Sequence, residues 1–148
     1  MKTSLGRQPV KRQHGGRVDA SLLVALAGLL LVPAGALARL CPQIDGSLLL
    51  GGGLGLTVAT YLVYRSDKHR SAAGRRRIPE AALHALALAG GWPGAFVAQR
   101  VLRHKTAKIS FQLVFWTIVL VHQYLALDSL LGWRLTARAA HFIVRQVT

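Results

Sequence analysis

Three stretches of this chain hold no Asp, Glu, Lys or Arg and are each about long enough to cross a lipid bilayer: residues 20–38, 47–64 and 109–127. A hydrocarbon core about 30 Å thick needs roughly 20 consecutive apolar residues at the rise of a helix. A strand at that depth would leave its N–H and C=O groups without partners unless it closed into a barrel. The blocks therefore point to an all-α integral membrane fold. Composition agrees, with 52 % hydrophobic residues and a mean hydropathy of +0.37. A length of 148 residues suits one domain.

The net charge of +14 raises the question of nucleic acid. The placement of the charge argues against it. Nearly all Lys and Arg flank the apolar blocks, where cytoplasmic retention and anionic headgroups favour them. No basic groove interleaved with aromatic residues stands out. The expected partners are the bilayer and its anionic headgroups, with a membrane protein partner or a second copy of the chain also open; nucleic acid is disfavoured. The expected location is a bacterial inner membrane, multi-pass, with the N-terminus cytoplasmic. Cys41 is the one cysteine, which excludes an internal disulfide and a cysteine-based zinc site. No cofactor or metal-ligand motif is present.

Along the chain, residues 1–18 read as a disordered basic cytoplasmic arm. Residues 19–131 form the membrane domain, with helices at about 19–38 and 47–64, a segment at 79–104, and a last helix at 109–131. The first block has a second interpretation as a secretory signal ending at Ala36, Leu37 and Ala38. In the second block Gly51, Gly55 and Ala59 recur every four residues, a small-residue groove that suits close helix packing. Residues 132–148 carry Arg134, Arg138, His141 and Arg145 on one side and Leu135, Phe142, Ile143 and Val147 on the other, as an amphipathic tail helix at an interface would. Asp128 reads as an outer-surface residue, and His122 as a packing histidine inside the last helix.

The segment at 79–104 is the least settled. Counting positive charge on either side does not separate a crossing from a return. Helix chemistry does more: Pro79 and Glu80 suit a first turn. Gly90, Gly91, Pro93 and Gly94 then form a breaker at the centre. Each half is about ten residues, only half of a crossing. The expectation is about three transmembrane helices plus a re-entrant or interfacial hairpin hinged at these four residues, the alternative being four transmembrane helices.

A hairpin would bring its ends together. Asp67, Lys68, Arg77, Glu80, His84, Arg103, His104 and Lys105 would then form one polar cluster, with two of the chain's five acids among ten Lys and Arg between residues 65 and 108. A carboxylate near the membrane is better tolerated when paired. The expected clasp pairs Glu80 with Arg103 or His104, and Asp67 with Arg77 or Lys105. A metal site from Glu80, His84 and His104 would follow no recognised ligand spacing.

The ordered motifs Asp67-Lys68, Arg77-Ile78-Pro79-Glu80, Leu83-His84, Gly90 to Ala95 and Arg103 to Thr106 resemble a bacterial membrane domain of unknown function, with Phe111, Phe115 and Trp116 continuing the likeness over roughly residues 51–125. In many relatives that domain follows a cold-shock nucleic-acid-binding domain; the arm before Asp19 is too short for such a barrel. The resemblance implies an inner-membrane location and supplies no activity. Two functions follow. One is a non-enzymatic membrane component whose basic cytoplasmic face binds anionic lipid or a partner. The other is a membrane enzyme on a phosphorylated or lipid substrate, with Glu80 or His84 as acid or base and Arg77, Arg103 and Lys105 holding phosphate.

Overall fold

The computed structural model describes residues 19–40 and 45–147, and every regular element among them is helical. The expected N-terminal arm and Cys41 lie outside the described residues. The helices are α1 (Ala20–Leu40), α2 (Gly46–Ala72), α3 (Glu80–Leu86), α4 (Trp92–Leu102), α5 (Ile109–Leu130) and α6 (Arg134–Val147), with a wide helical turn at Ala87–Gly91 joining α3 to α4. Four segments are long and apolar enough to cross a membrane: Ala20–Arg39, Gly46–Ala72, Glu80–Leu102 and Ile109–Leu130. This is the architecture of an all-α membrane protein.

Cross-links between helices define which ends lie together. Arg39 donates a guanidinium N–H to the Leu130 carbonyl, and Gln123 Nε2 donates to the Leu29 carbonyl at 2.7 Å, so α1 and α5 run parallel. Lys68 Nζ donates to the Leu102 carbonyl at 2.7 Å, while Gly94 packs on Thr57, so α4 runs parallel to α2. The end of α2, both ends of the α3–α4 segment and the start of α5 therefore share one end of the bundle.

That arrangement brings the two ends of the 80–102 segment together. A straight helix over 80–102 would be about 34 Å long. Instead Lys105 Nζ lies 2.8 Å from Glu80 Oε1. The segment folds back at Gly90, whose φ of 108° is closed to ordinary side chains. Its tip reaches Leu56 to Thr60 on α2 and sets Trp92 6.5 Å from the His122 ring on α5. Ten residues of α2 separate Thr57 from Asp67, about 15 Å of helix, or half a hydrocarbon core.

Burial follows the hairpin. Leu83, Ala87, Trp92, Ala95, Phe96 and Ala98 are enclosed by Tyr64 of α2 and by Phe111, Phe115 and Val119 of α5. The long helices meanwhile turn large apolar side chains outward: Leu23 and Leu31 on α1, Leu48, Leu54 and Leu62 on α2, Leu113 and Leu120 on α5. An inward core of small and aromatic residues under an apolar exterior suits lipid as solvent.

Three expectations are corrected here. The small-residue groove at Gly51, Gly55 and Ala59 does not pack within the chain; a Cβ at Gly51 or Gly55 would meet nothing within 4 Å, and Ala59 is exposed. The small face that packs lies on the returning arm, at Gly91 just before α4 and at Gly94, Ala95 and Ala98 on it, all buried. Second, α2 continues eight residues past Tyr64, to Ala72. Polar residues there mark the membrane surface and not the helix end, since no breaker occurs before Gly74. Third, Asp128 is fully buried and not on the outer surface. Its carboxylate accepts the Leu135 N–H at 2.8 Å, the Thr136 N–H at 3.1 Å and the Thr136 hydroxyl, and so caps α6 from the last turns of α5. The basic tail helix thus begins at the bundle end opposite the hairpin mouth.

Candidate functional site

At the mouth of the hairpin, two carboxylates tie three elements together. Asp67 projects from the polar extension of α2 and has no exposed surface. Its Oδ1 accepts the Ile78 N–H at 2.8 Å, and its Oδ2 lies 2.8 Å from His104 Nε2. Ile78 precedes α3 and His104 follows α4, so one buried carboxylate holds both arms of the hairpin to α2. Glu80, a third exposed, opens α3 and accepts from Lys105 Nζ at 2.8 Å and Lys108 Nζ at 2.7 Å. The Lys68 ammonium closes the carbonyl end of α4 at Leu102.

The clasp exists with exchanged partners. Asp67 takes His104 in place of Arg77 or Lys105, and Glu80 takes Lys105 and Lys108 in place of Arg103 or His104. Burial explains the exchange. Enclosing a permanently charged guanidinium or ammonium beside Asp67 would add a large desolvation cost. The long lysine stems reach Glu80 at the rim, Lys105 from a side chain one-tenth exposed and Lys108 from one about half exposed. Backbone geometry serves the same end, since Arg103 (φ 47°) and Lys105 (φ 65°) take left-handed conformations on either side of His104.

The remaining candidates divide. His84 lies one turn deeper than Glu80, its ring 4.3 Å from that of Phe111, with Nδ1 buried and without a hydrogen bond among the described residues. It does not line the mouth. Arg77 and Arg103 do line it, one before α3 and one after α4, and neither guanidinium has an ion pair or hydrogen bond among the described residues. Together with Ser71, Glu80, His104, Lys105, Thr106 and Lys108 they surround a cavity of about 400 Å³. No group of three or more metal-binding side chains assembles among the described residues.

Sequence reasoning missed several participants. Lys108 is the second partner of Glu80; its position one turn from Lys105 was the available clue. Gln112 Nε2 donates to Gln99 Oε1 at 2.6 Å and to the Lys105 carbonyl at 2.9 Å, bracing the loop from α5. Gln99, Tyr64 and Thr60 are buried polar residues on the facing sides of α4 and α2. A glutamine inside an apolar segment is the signal that could have drawn attention to this seam.

Residues 57–111 match the family model described as Protein of unknown function (DUF1294). No curated protein and no solved structure matches the chain. The matched stretch begins at Thr57, where Gly94 packs, and ends at Phe111, beneath His84. It contains the hairpin and both carboxylates of the clasp, whereas α1, α6 and most of α5 lie outside it.

Proposed function

We propose that this is a non-enzymatic component of a bacterial inner membrane, with its N-terminus and hairpin mouth cytoplasmic, that binds anionic lipid headgroups at the mouth. One observation carries the reading: the clasp gathers Arg77, Arg103, Lys105 and Lys108 around one cavity at the end of the bundle where α2 leaves its apolar block. Cations held at that level attract anionic headgroups by about 1 kcal/mol each before crowding and screening. Glu80 fixes the hairpin and is not placed as an acid or base, because both of its oxygens are engaged by lysines. His84 packs its ring on Phe111 and does not line the cavity.

The test is retention of lipid by the detergent-purified protein. Phosphatidylglycerol should be retained and should raise the thermal midpoint in a salt-sensitive manner; phosphatidylcholine should do neither. Equal retention of both lipids overturns the reading. So does loss of a cellular phenotype in Glu80→Gln and His84→Ala variants that fold and insert normally, the outcome an enzyme would give.

A further inference from the structure

The cavity holds more than a diffuse basic face requires. Four permanent cations and one carboxylate line it, with His104 turned back toward Asp67. Each lysine gives one donor to Glu80 and keeps two, and each arginine keeps its full planar fork. Ser71 and Thr106 add hydroxyl donors to the lining. The volume of about 400 Å³ equals the share of roughly a dozen water molecules, ample for a phosphoryl group and its first substituent. Two non-glycine residues in left-handed backbone, Arg103 and Lys105, hold this lining in place. Such strain persists where surrounding structure over-determines it, and gathers at ligand-binding segments.

We infer that the hairpin mouth is a phosphate-monoester site, in which Arg77 and Arg103, from the two arms of the hairpin, grip one phosphoryl group. The inference rests on the lipid-binding reading and makes it specific. A monoester presents three terminal oxygens and nearly two negative charges, where a diester such as phosphatidylglycerol presents two oxygens and one charge. Two guanidinium forks and two lysines carry enough donors and charge for the former and an excess for the latter. Arg77 comes from the chain before α3 and Arg103 from the chain after α4. A ligand held by both bridges the hairpin and tightens its closure. Monoester phosphate reaches such a site from a lipid, as in phosphatidic acid, or from a soluble molecule such as glycerol phosphate.

The full chain in neutral detergent is titrated with short-chain phosphatidic acid, short-chain phosphatidylglycerol and glycerol phosphate, with the thermal midpoint as readout. Phosphatidic acid should bind saturably and at least tenfold more tightly than phosphatidylglycerol. Arg77→Gln and Arg103→Gln should each lower its affinity at least tenfold. Arg77→Lys and Arg103→Lys, which keep the charge and lose the fork, should fall between. Arg134→Gln with Arg138→Gln, on α6 at the opposite end, should change nothing. Competition by glycerol phosphate assigns the site to the phosphoryl group alone; phosphatidic acid binding without competition assigns it to the lipid. Equal affinity for the two lipids, indifferent to Arg77 and Arg103, overturns the monoester site and leaves general headgroup binding standing. Absence of binding by either lipid overturns both.

Discussion

Replacing Asp67 with asparagine keeps the shape of the side chain and removes its charge where nothing else can supply one. The carboxylate is fully buried, with the Ile78 N–H and His104 Nε2 each 2.8 Å from its oxygens. A hydrogen bond to a charged group contributes about 1.5–3 kcal/mol, against about 0.5–1.5 kcal/mol for a neutral pair. Downgrading both bonds therefore costs about 2–3 kcal/mol. Asp67→Ala, which also strands the Ile78 N–H, should cost about 3–5 kcal/mol. The assay is reversible unfolding in mixed micelles of rising dodecyl sulfate content. A double-mutant cycle with His104→Gln isolates the pair, and Asp67→Asn should cost at least about 1 kcal/mol less in that background. A loss below about 0.5 kcal/mol in the otherwise unaltered chain, with no coupling to His104, would refute the view that this carboxylate holds the hairpin.

Other consequences are open to direct measurement. A Cβ at Gly94 would stand 2.0 Å from the Thr57 carbonyl oxygen, a backbone atom that no rotamer change can move. Gly94→Ala should therefore lower folded yield sharply, while Gly55→Ala, with open space around it, should leave yield unchanged or higher. Cysteines placed by Glu80→Cys and Lys105→Cys, with Cys41→Ser, should be joined by a short bifunctional reagent in membranes. A segment that crossed would hold them about 34 Å apart and give no product. Asp128→Ala should fray the start of α6, seen as faster hydrogen exchange at the Leu135 and Thr136 amides with the clasp end unaffected.

Much of this was legible in residue order alone, and the failures share a cause. Apolar block length reports bilayer thickness, so it located α1 and α5 well and cut α2 short, because Arg65 to Ala72 leave the lipid without leaving the helix. The breaker at Gly90 to Gly94 was readable because φ at Gly90 and the ring of Pro93 are local constraints. The gathering of Asp67, Glu80 and the basic residues followed once the hinge was granted. The pairing within that group did not follow, since whether Asp67 meets an imidazole or a guanidinium depends on how deeply α2 buries it. Four-residue spacing of small side chains was equally ambiguous. Gly51, Gly55 and Ala59 satisfy it and face outward, whereas Gly91, Gly94, Ala95 and Ala98 pack because the returning arm needs its backbone against Thr57. Asp128 carried no local mark of its role, which exists only once α6 turns back over the end of α5.

The half-depth hairpin also makes the protein unequal in its two halves. On the side of the clasp five helical segments share the cross-section, namely α1, α2, α3, α4 and α5. Beyond the tip at Gly90, among the described residues, α1, α2 and α5 continue, and α6 begins at their far end. Two additional helices, each about 10 Å across with its side chains, thus broaden the clasp half of the bundle. The hinge at Gly90 thus marks the level at which the bundle changes width.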